Sequence, residues 1–179
     1  MYCRSLCTVV YDVNNLIPVA IKETNNFANE NNHAIEIIEQ LNLKDDTIII
    51  FDRKYYSKKF LKFLHERNII PIFRMDIENN FVKKLKIDNT DELITSVEDI
   101  PFKIIKYIIK DSPEEYFIGT TKLEFSVDQI KELYWKRWNI EEFYKNLKHK
   151  MKGWFYNTSN KINYLSSIKA QHLGMFFLG

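Results

Sequence analysis

The chain reads as an α/β domain, a mixed sheet flanked by helices. Three observations lead there. Apolar runs rich in Val, Ile and Phe alternate with amphipathic stretches at helical spacing. The run at residues 47–51 is continuously apolar and β-branched, as a buried central strand is. A capping-box pattern at residues 126–129 opens a long helix. The 179 residues suffice for one domain with a sizeable core. A composition that is 45% hydrophobic and 15% aromatic, with only four glycines and four prolines, excludes a disordered chain or long flexible linkers.

In chain order, residues 6–13 form a strand, Asn14-Asn15 a turn, and residues 16–22 a second strand. Asn tolerates left-handed backbone angles, so this pair fits a tight hairpin. Pro18 marks the second strand as an edge or an irregular start. Residues 25–32 are polar and loop-like. Ala34, Ile37, Ile38 and Leu41 then recur at helical spacing, which predicts a short helix over 33–41. The buried strand 47–51 ends abruptly at Asp52-Arg53. A helix over 58–67 follows, capped by Ser57, and then a strand over 69–75. Residues 76–99 are charged and poor in aromatics, and read as an insertion more than core. Residues 102–110 and 116–121 read as paired strands around a turn at Asp111-Ser112-Pro113. Ser126 caps a helix running from 127 to about 152, where Gly153 stops it. A final helix is expected over 162–177. This order suits an α/β fold of ribonuclease H type.

Cys3 and Cys7 are too few, and lack nearby histidines, for a zinc site; reduced thiols in an intracellular protein are the better reading. No apolar run reaches membrane-spanning length, and the N-terminus lacks the pattern of a signal peptide. The net charge of +2 hides an asymmetry. Residues 1–130 carry 17 Lys/Arg against 21 Asp/Glu, whereas residues 131–161 carry eight against three. The basic stretch is where a polyanion would have to bind, although on composition alone a solvated basic helix face is the better reading.

Tyr134, Arg137, Glu141 and Lys148 fall at spacings of three, four and seven. On one continuous helix they occupy a strip roughly 60° wide. A carboxylate thereby stands in line with two cations and a phenol. Glu141 alone is more simply an ion-pair partner of Lys145, four residues on. Asp52, at the carboxyl end of a buried strand, is either a ligand or a cap for the next helix. Together, a strand-end Asp and a helix Glu can bind divalent cations and act on a phosphodiester; their hard oxygens favour Mg2+ or Mn2+. Trp135 and Trp138 could stack an unpaired base, but packing against the sheet is the better reading.

These residues carry a family resemblance. Tyr134, Arg137, Glu141 and Lys148 match the Y-R-E-K signature of DDE transposases of the insertion sequence four family. Ile49-Ile50-Phe51-Asp52-Arg53-Lys54-Tyr55 resembles that family's strand with its second catalytic Asp, with Lys54 where the family has Gly. Phe117-Ile118-Gly119-Thr120-Thr121-Lys122-Leu123 resembles the segment before the Glu helix, and Arg137-Trp138-Asn139-Ile140-Glu141 its Arg-Trp-x-Ile-Glu core. The resemblance implies that Asp52 and Glu141 are catalytic metal ligands, and that Tyr134, Arg137 and Lys148 contact DNA. It implies a two-metal Mg2+ or Mn2+ site, DNA as partner, a homodimer in the DNA complex and a nucleic-acid-associated location. Residues 1–75 and 122–179 would be core, with 76–121 a β-rich insertion before the Glu helix. The family's first catalytic Asp and first core strand have no counterpart here, and Asp12 stands at a different position. The expectation is an N-terminally truncated catalytic domain with little activity alone. The rivals are a non-catalytic DNA-binding remnant and another ribonuclease H-like nuclease.

Overall fold

The computed structural model describes residues 5–25, 29–108, 114–139, 141, 142, 145 and 173–178. Eight strands form one sheet: β1 (Ser5–Asp12), β2 (Ile17–Asn25), β3 (Ile48–Phe51), β4 (Ile70–Met75), β5 (Glu92–Val97), β6 (Ile100–Ile108), β7 (Glu115–Thr120) and β8 (Leu173–Leu178). Their order is β2-β1-β8-β3-β4-β7-β6-β5. The sheet is mixed, as expected: β1 with β8 and β3 with β4 are parallel, and the other neighbours antiparallel.

Alternation along the strands divides the core into two layers. On one face, Ile49, Phe51, Phe73, Phe102, Ile104 and Phe117 pack under α1 (Glu30–Leu41), α2 (Lys58–His65) and α3 (Asn80–Ile87). Phe51 stacks on Phe73 at 5.0 Å and meets Phe60 of α2 edge-on at 5.2 Å. On the other face, Val9, Tyr11, Ile50, Ile72, Ile105 and Ile118 pack under α4 (Val127–Trp135) through Ile130 and Tyr134. Burying one such aliphatic or aromatic side chain contributes about 1.5–3 kcal/mol.

Local chemistry sets most boundaries. Asn29 caps α1 through the amide of Asn31, so the helix starts at Glu30, earlier than its apolar stripe indicates. Ser57 caps α2 by accepting from the Phe60 amide. Pro18 lies on the outermost strand, beside an irregularity in the β1–β2 register, in keeping with its missing N–H. At the hairpin turn the left-handed residue is Leu16, at φ 57°, rather than either Asn. Asn14 and Asn15 instead donate their amides to Asp12 Oδ1, each at 2.9 Å, and that chelation shapes the turn.

Several expectations are corrected. Residues 76–121 do not stand apart from the core: α3 buries Val82 and Leu85, and β5, β6 and β7 continue the same sheet. The long helix is interrupted. α4 ends at Trp135, and the amides of Arg137 and Asn139 reach back only three residues, to Tyr134 and Lys136. The described residues Trp138, Asn139, Glu141, Glu142 and Lys145 are again helical. The C-terminal helix is overturned where it can be compared, because Leu173–Leu178 is a strand. Gly174 costs a helix about 1 kcal/mol, and the position between β1 and β3 offers hydrogen-bonding partners on both sides. Residues 146–153, 162–172 and the turn at 111–113 lie outside the described residues.

Candidate functional site at the carboxyl end of the sheet

Asp52 follows β3 directly and points to the α4 side, the face that Ile50 shares. The chain then enters a 3-10 turn, Arg53–Tyr55, anchored by the fully buried Tyr55. Lys54 is not among the residues with positive φ, so this turn accepts Lys where the resembling family has Gly. Asp52 occupies the N-cap position yet makes no capping bond through its side chain. Its Oδ1 is buried and has no hydrogen-bond partner among the described residues. The capping alternative for Asp52 is therefore not realised.

α4 delivers the facing residues. Ser126 accepts from the Gln129 amide and Gln129 Oε1 accepts from the Ser126 amide, completing the expected capping box. Ile130 and Tyr134, one helical turn apart, are buried against the sheet. Burial raises the Tyr134 phenol to about 12, and Asp52 adds to the rise while Arg137 and Arg74 oppose it. The hydroxyl thus stays protonated at neutral pH, and it has no partner among the described residues. Arg137 follows where the helix is interrupted, its guanidinium 5.5 Å from the Tyr134 ring centre. Burial lowers its pKa, but the acidic groups of Tyr134, Glu141 and Asp52 outweigh that and the net shift is upward. Arg137 Nη2 pairs with Glu141 Oε1 at 2.6 Å, while its buried Nε has no hydrogen-bond partner among the described residues.

The structure therefore brings Asp52, Tyr134 and Arg137 into one electrostatic neighbourhood and joins Glu141 to it through Arg137. Lys148 lies outside the described residues. Glu141 does not pair with Lys145, which instead binds Glu142 at 2.6 Å. Asp12 is occupied elsewhere, accepting from Asn14 and from both the backbone and side chain of Asn15.

Two features escape the sequence reading. Arg74 lies one step past the Phe51–Phe73 pairing of β3 and β4, which sets it alongside Asp52 on the neighbouring strand. Half-buried, it rests 4.5 Å over the Tyr116 ring, and Tyr116 lies 6.4 Å from Tyr134. Its signal was present: Ile50-Phe51-Asp52 and Ile72-Phe73-Arg74 are the same apolar pair followed by opposite charges. The second feature corrects the tryptophans. Trp135 and Trp138 do not pack against the sheet; they are 49% and 40% exposed, with ring centres 5.4 Å apart. Trp135, one residue past Tyr134, is turned off the buried stripe by helical spacing. Trp138 lies beyond the interruption at Lys136 and Arg137, so the stripe of Ile130 and Tyr134 does not continue to it.

Asp52's unpartnered buried oxygen and the hard carboxylate donors fit a divalent cation. Among the described residues, no three His, Cys, Asp or Glu side chains gather as a metal cage.

Fold and site together define an α/β domain that gathers carboxylates, arginines and a buried phenol at the carboxyl edge of its sheet. The family model described as Transposase DDE domain matches residues 3–161, and the chain belongs to that family. Neither the curated proteins nor the solved structures give a match. Membership implies DNA as the partner. Among the described residues, no helix is long and apolar enough to cross a membrane.

Proposed function

We propose that this chain carries catalytic machinery of a transposase of the insertion sequence four kind, on a ribonuclease H-like scaffold. The observation that carries the reading is Asp52 at the end of β3, on the sheet face that α4 covers and within electrostatic reach of Tyr134 and Arg137, in a chain of the DDE family. In this reading Asp52 and Glu141 are the catalytic carboxylates and would hold Mg2+ or Mn2+. That ion supplies activation of the attacking oxygen and stabilisation of the leaving one. Arg137 and Lys148 neutralise the DNA backbone, with Arg74 as a third cation, and the protonated Tyr134 hydroxyl donates a hydrogen bond. Arg137 offers its free Nε to a phosphate while Nη2 orients Glu141. The exposed Trp135–Trp138 pair is a platform on which an unpaired base can stack.

The reaction is displacement at phosphorus. Water forms the new P–O bond as the 3′ oxygen leaves and takes a proton. The freed 3′-hydroxyl then attacks a target phosphodiester in the same way. The whole enzyme would act as a homodimer on paired element ends.

The Arg137–Glu141 pair also favours a second reading, DNA binding without turnover, because a carboxylate held by a cation is a poorer metal ligand. Duplex binding across a salt series, with nicking measured in Mg2+ and Mn2+, separates the two. Both readings expect affinity to fall steeply with salt, and Arg137→Ala to lower the log–log slope by about 1. Metal-dependent nicking that Asp52→Ala and Glu141→Ala each reduce by at least about 100-fold supports catalysis. Binding without nicking supports the second reading. Absence of salt-dependent DNA affinity overturns both.

A further inference from the structure

We infer that Lys103 is a positioning residue that sets α4, and with it Tyr134 and Arg137, over the sheet; its link to chemistry rests on the function proposed above. Lys103 lies on β6, on the α4 side, and its side chain is only 8% exposed. A buried ammonium needs partners, and this one spends its donors on the turn that precedes α4. Nζ donates to Leu123 O at 3.2 Å and Phe125 O at 3.1 Å, and pairs with Glu92 of β5 at 3.4 Å. Directly across the β6–β7 ladder stands the buried Thr120, whose Oγ1 accepts from the Lys122 amide at 3.2 Å. Two side chains in register thus tether one short turn. The next residue is the capping Ser126, so the tether fixes where α4 begins. α4 buries only Ile130 and Tyr134 fully, with Val127 and Leu133 packed at the margin of the same layer, so a fixed origin adds a directional restraint that non-directional apolar contact does not give.

The test compares the full chain with Lys103→Met, which keeps the aliphatic volume and removes the donors. Amide exchange by mass spectrometry is expected to rise about tenfold or more across residues 123–134, with β3 and β4 unchanged. Lys103→Gln, too short for both carbonyls, should give a smaller rise, and it decides the matter if Lys103→Met does not fold. DNA affinity supplies the readout that a merely structural lysine would not move. If Lys103 acts through α4, Arg137→Ala should cost clearly less affinity in the Lys103→Met background than in the wild type, a non-additivity of about threefold or more. Unchanged exchange over 123–134 in a folded variant, or strictly additive losses in affinity, overturns the inference. If the wild type binds no DNA, the functional reading fails, while the exchange result still judges Lys103.

Discussion

A carboxylate is defined by what it accepts, and three acids in this chain meet three fates. Asp12 is spent on its turn, Glu141 on Arg137, and Asp52 keeps a buried oxygen without a partner among the described residues. The difference has a pH consequence at Asp12. Burial raises its pKa, but the hydrogen bonds from Asn15 and Asn14 outweigh burial and the net shift is downward. A folded-state pKa below the unfolded one means stabilisation that is present above the ordinary Asp value, about 3.9. It is lost as the pH falls through the folded value. Asp12→Asn cannot accept from the Asn15 amide group in the same way, and is expected to cost about 1–2 kcal/mol near pH 6. Urea unfolding of both proteins should show that gap closing below about pH 4. A gap of the same size at pH 2.5 and pH 6 would mean that ionised Asp12 is not its source. Arg74 shows the limit of reading such residues singly. One arginine in an apolar strand carries no message until a neighbouring strand places it beside Asp52.

Elements were legible where their signals are local. The caps at Ser57 and Ser126, the stripe of α1 and the apolar run of β3 each lie within a few residues, and each element starts within a few residues of the reading. Illegible elements depend on distant partners. In β5 only one face is buried, and the exposed Glu92, Ile94 and Ser96 give its segment the look of a charged insertion. The Tyr134–Lys148 strip presumes one unbroken helix, and nothing in the side chains announces the interruption at Lys136 and Arg137. Gly119 illustrates a close approach that is invisible from spacing. A Cβ at this position of β7 would lie 2.4 Å from Phe102 Cζ and 3.1 Å from the Met75 sulfur. Phe102 is fully buried between strand and helix layers, so its ring has little room to move. Gly119→Ala should destabilise by about 1–3 kcal/mol despite its higher strand propensity. Thermal unfolding checks this, and pairing the change with Phe102→Leu should recover part of the loss. An unchanged melting temperature for Gly119→Ala would show that the ring yields freely.

At the scale of the whole molecule, the sheet depends on its most sequence-distant strand. β1 and β3 are not hydrogen-bonded to each other; β8 lies between them, parallel to β1 from Thr8 to Asp12 and antiparallel to β3 from Ile48 to Ile50. The β1–β2 hairpin therefore joins the remaining sheet through six residues near the C-terminus, helped by the packing of α1 on both hairpin strands. The polar groups of the Asp52 neighbourhood lie on the other side of this joint, on or just beyond β3, β4, β7 and α4, although Val9 and Tyr11 of β1 share the apolar layer beneath α4. Disturbing β8 should then loosen the hairpin before the site. Met175→Pro tests this, because proline removes a ladder donor from the middle of an interior strand. Loss of even two net hydrogen bonds costs about 2 kcal/mol, and the expected result is subglobal. Amides of β1 and β2 should exchange much faster, while those of β4, β6 and β7 keep their protection. Arg137 and Tyr134 should keep their place, so any DNA affinity that depends on Arg137 should survive the change. Uniform loss of protection across all strands would instead make the sheet a single cooperative unit, with β8 as essential to the site as β3. Unchanged protection of β1 and β2 would mean that α1, rather than β8, holds the hairpin to the domain.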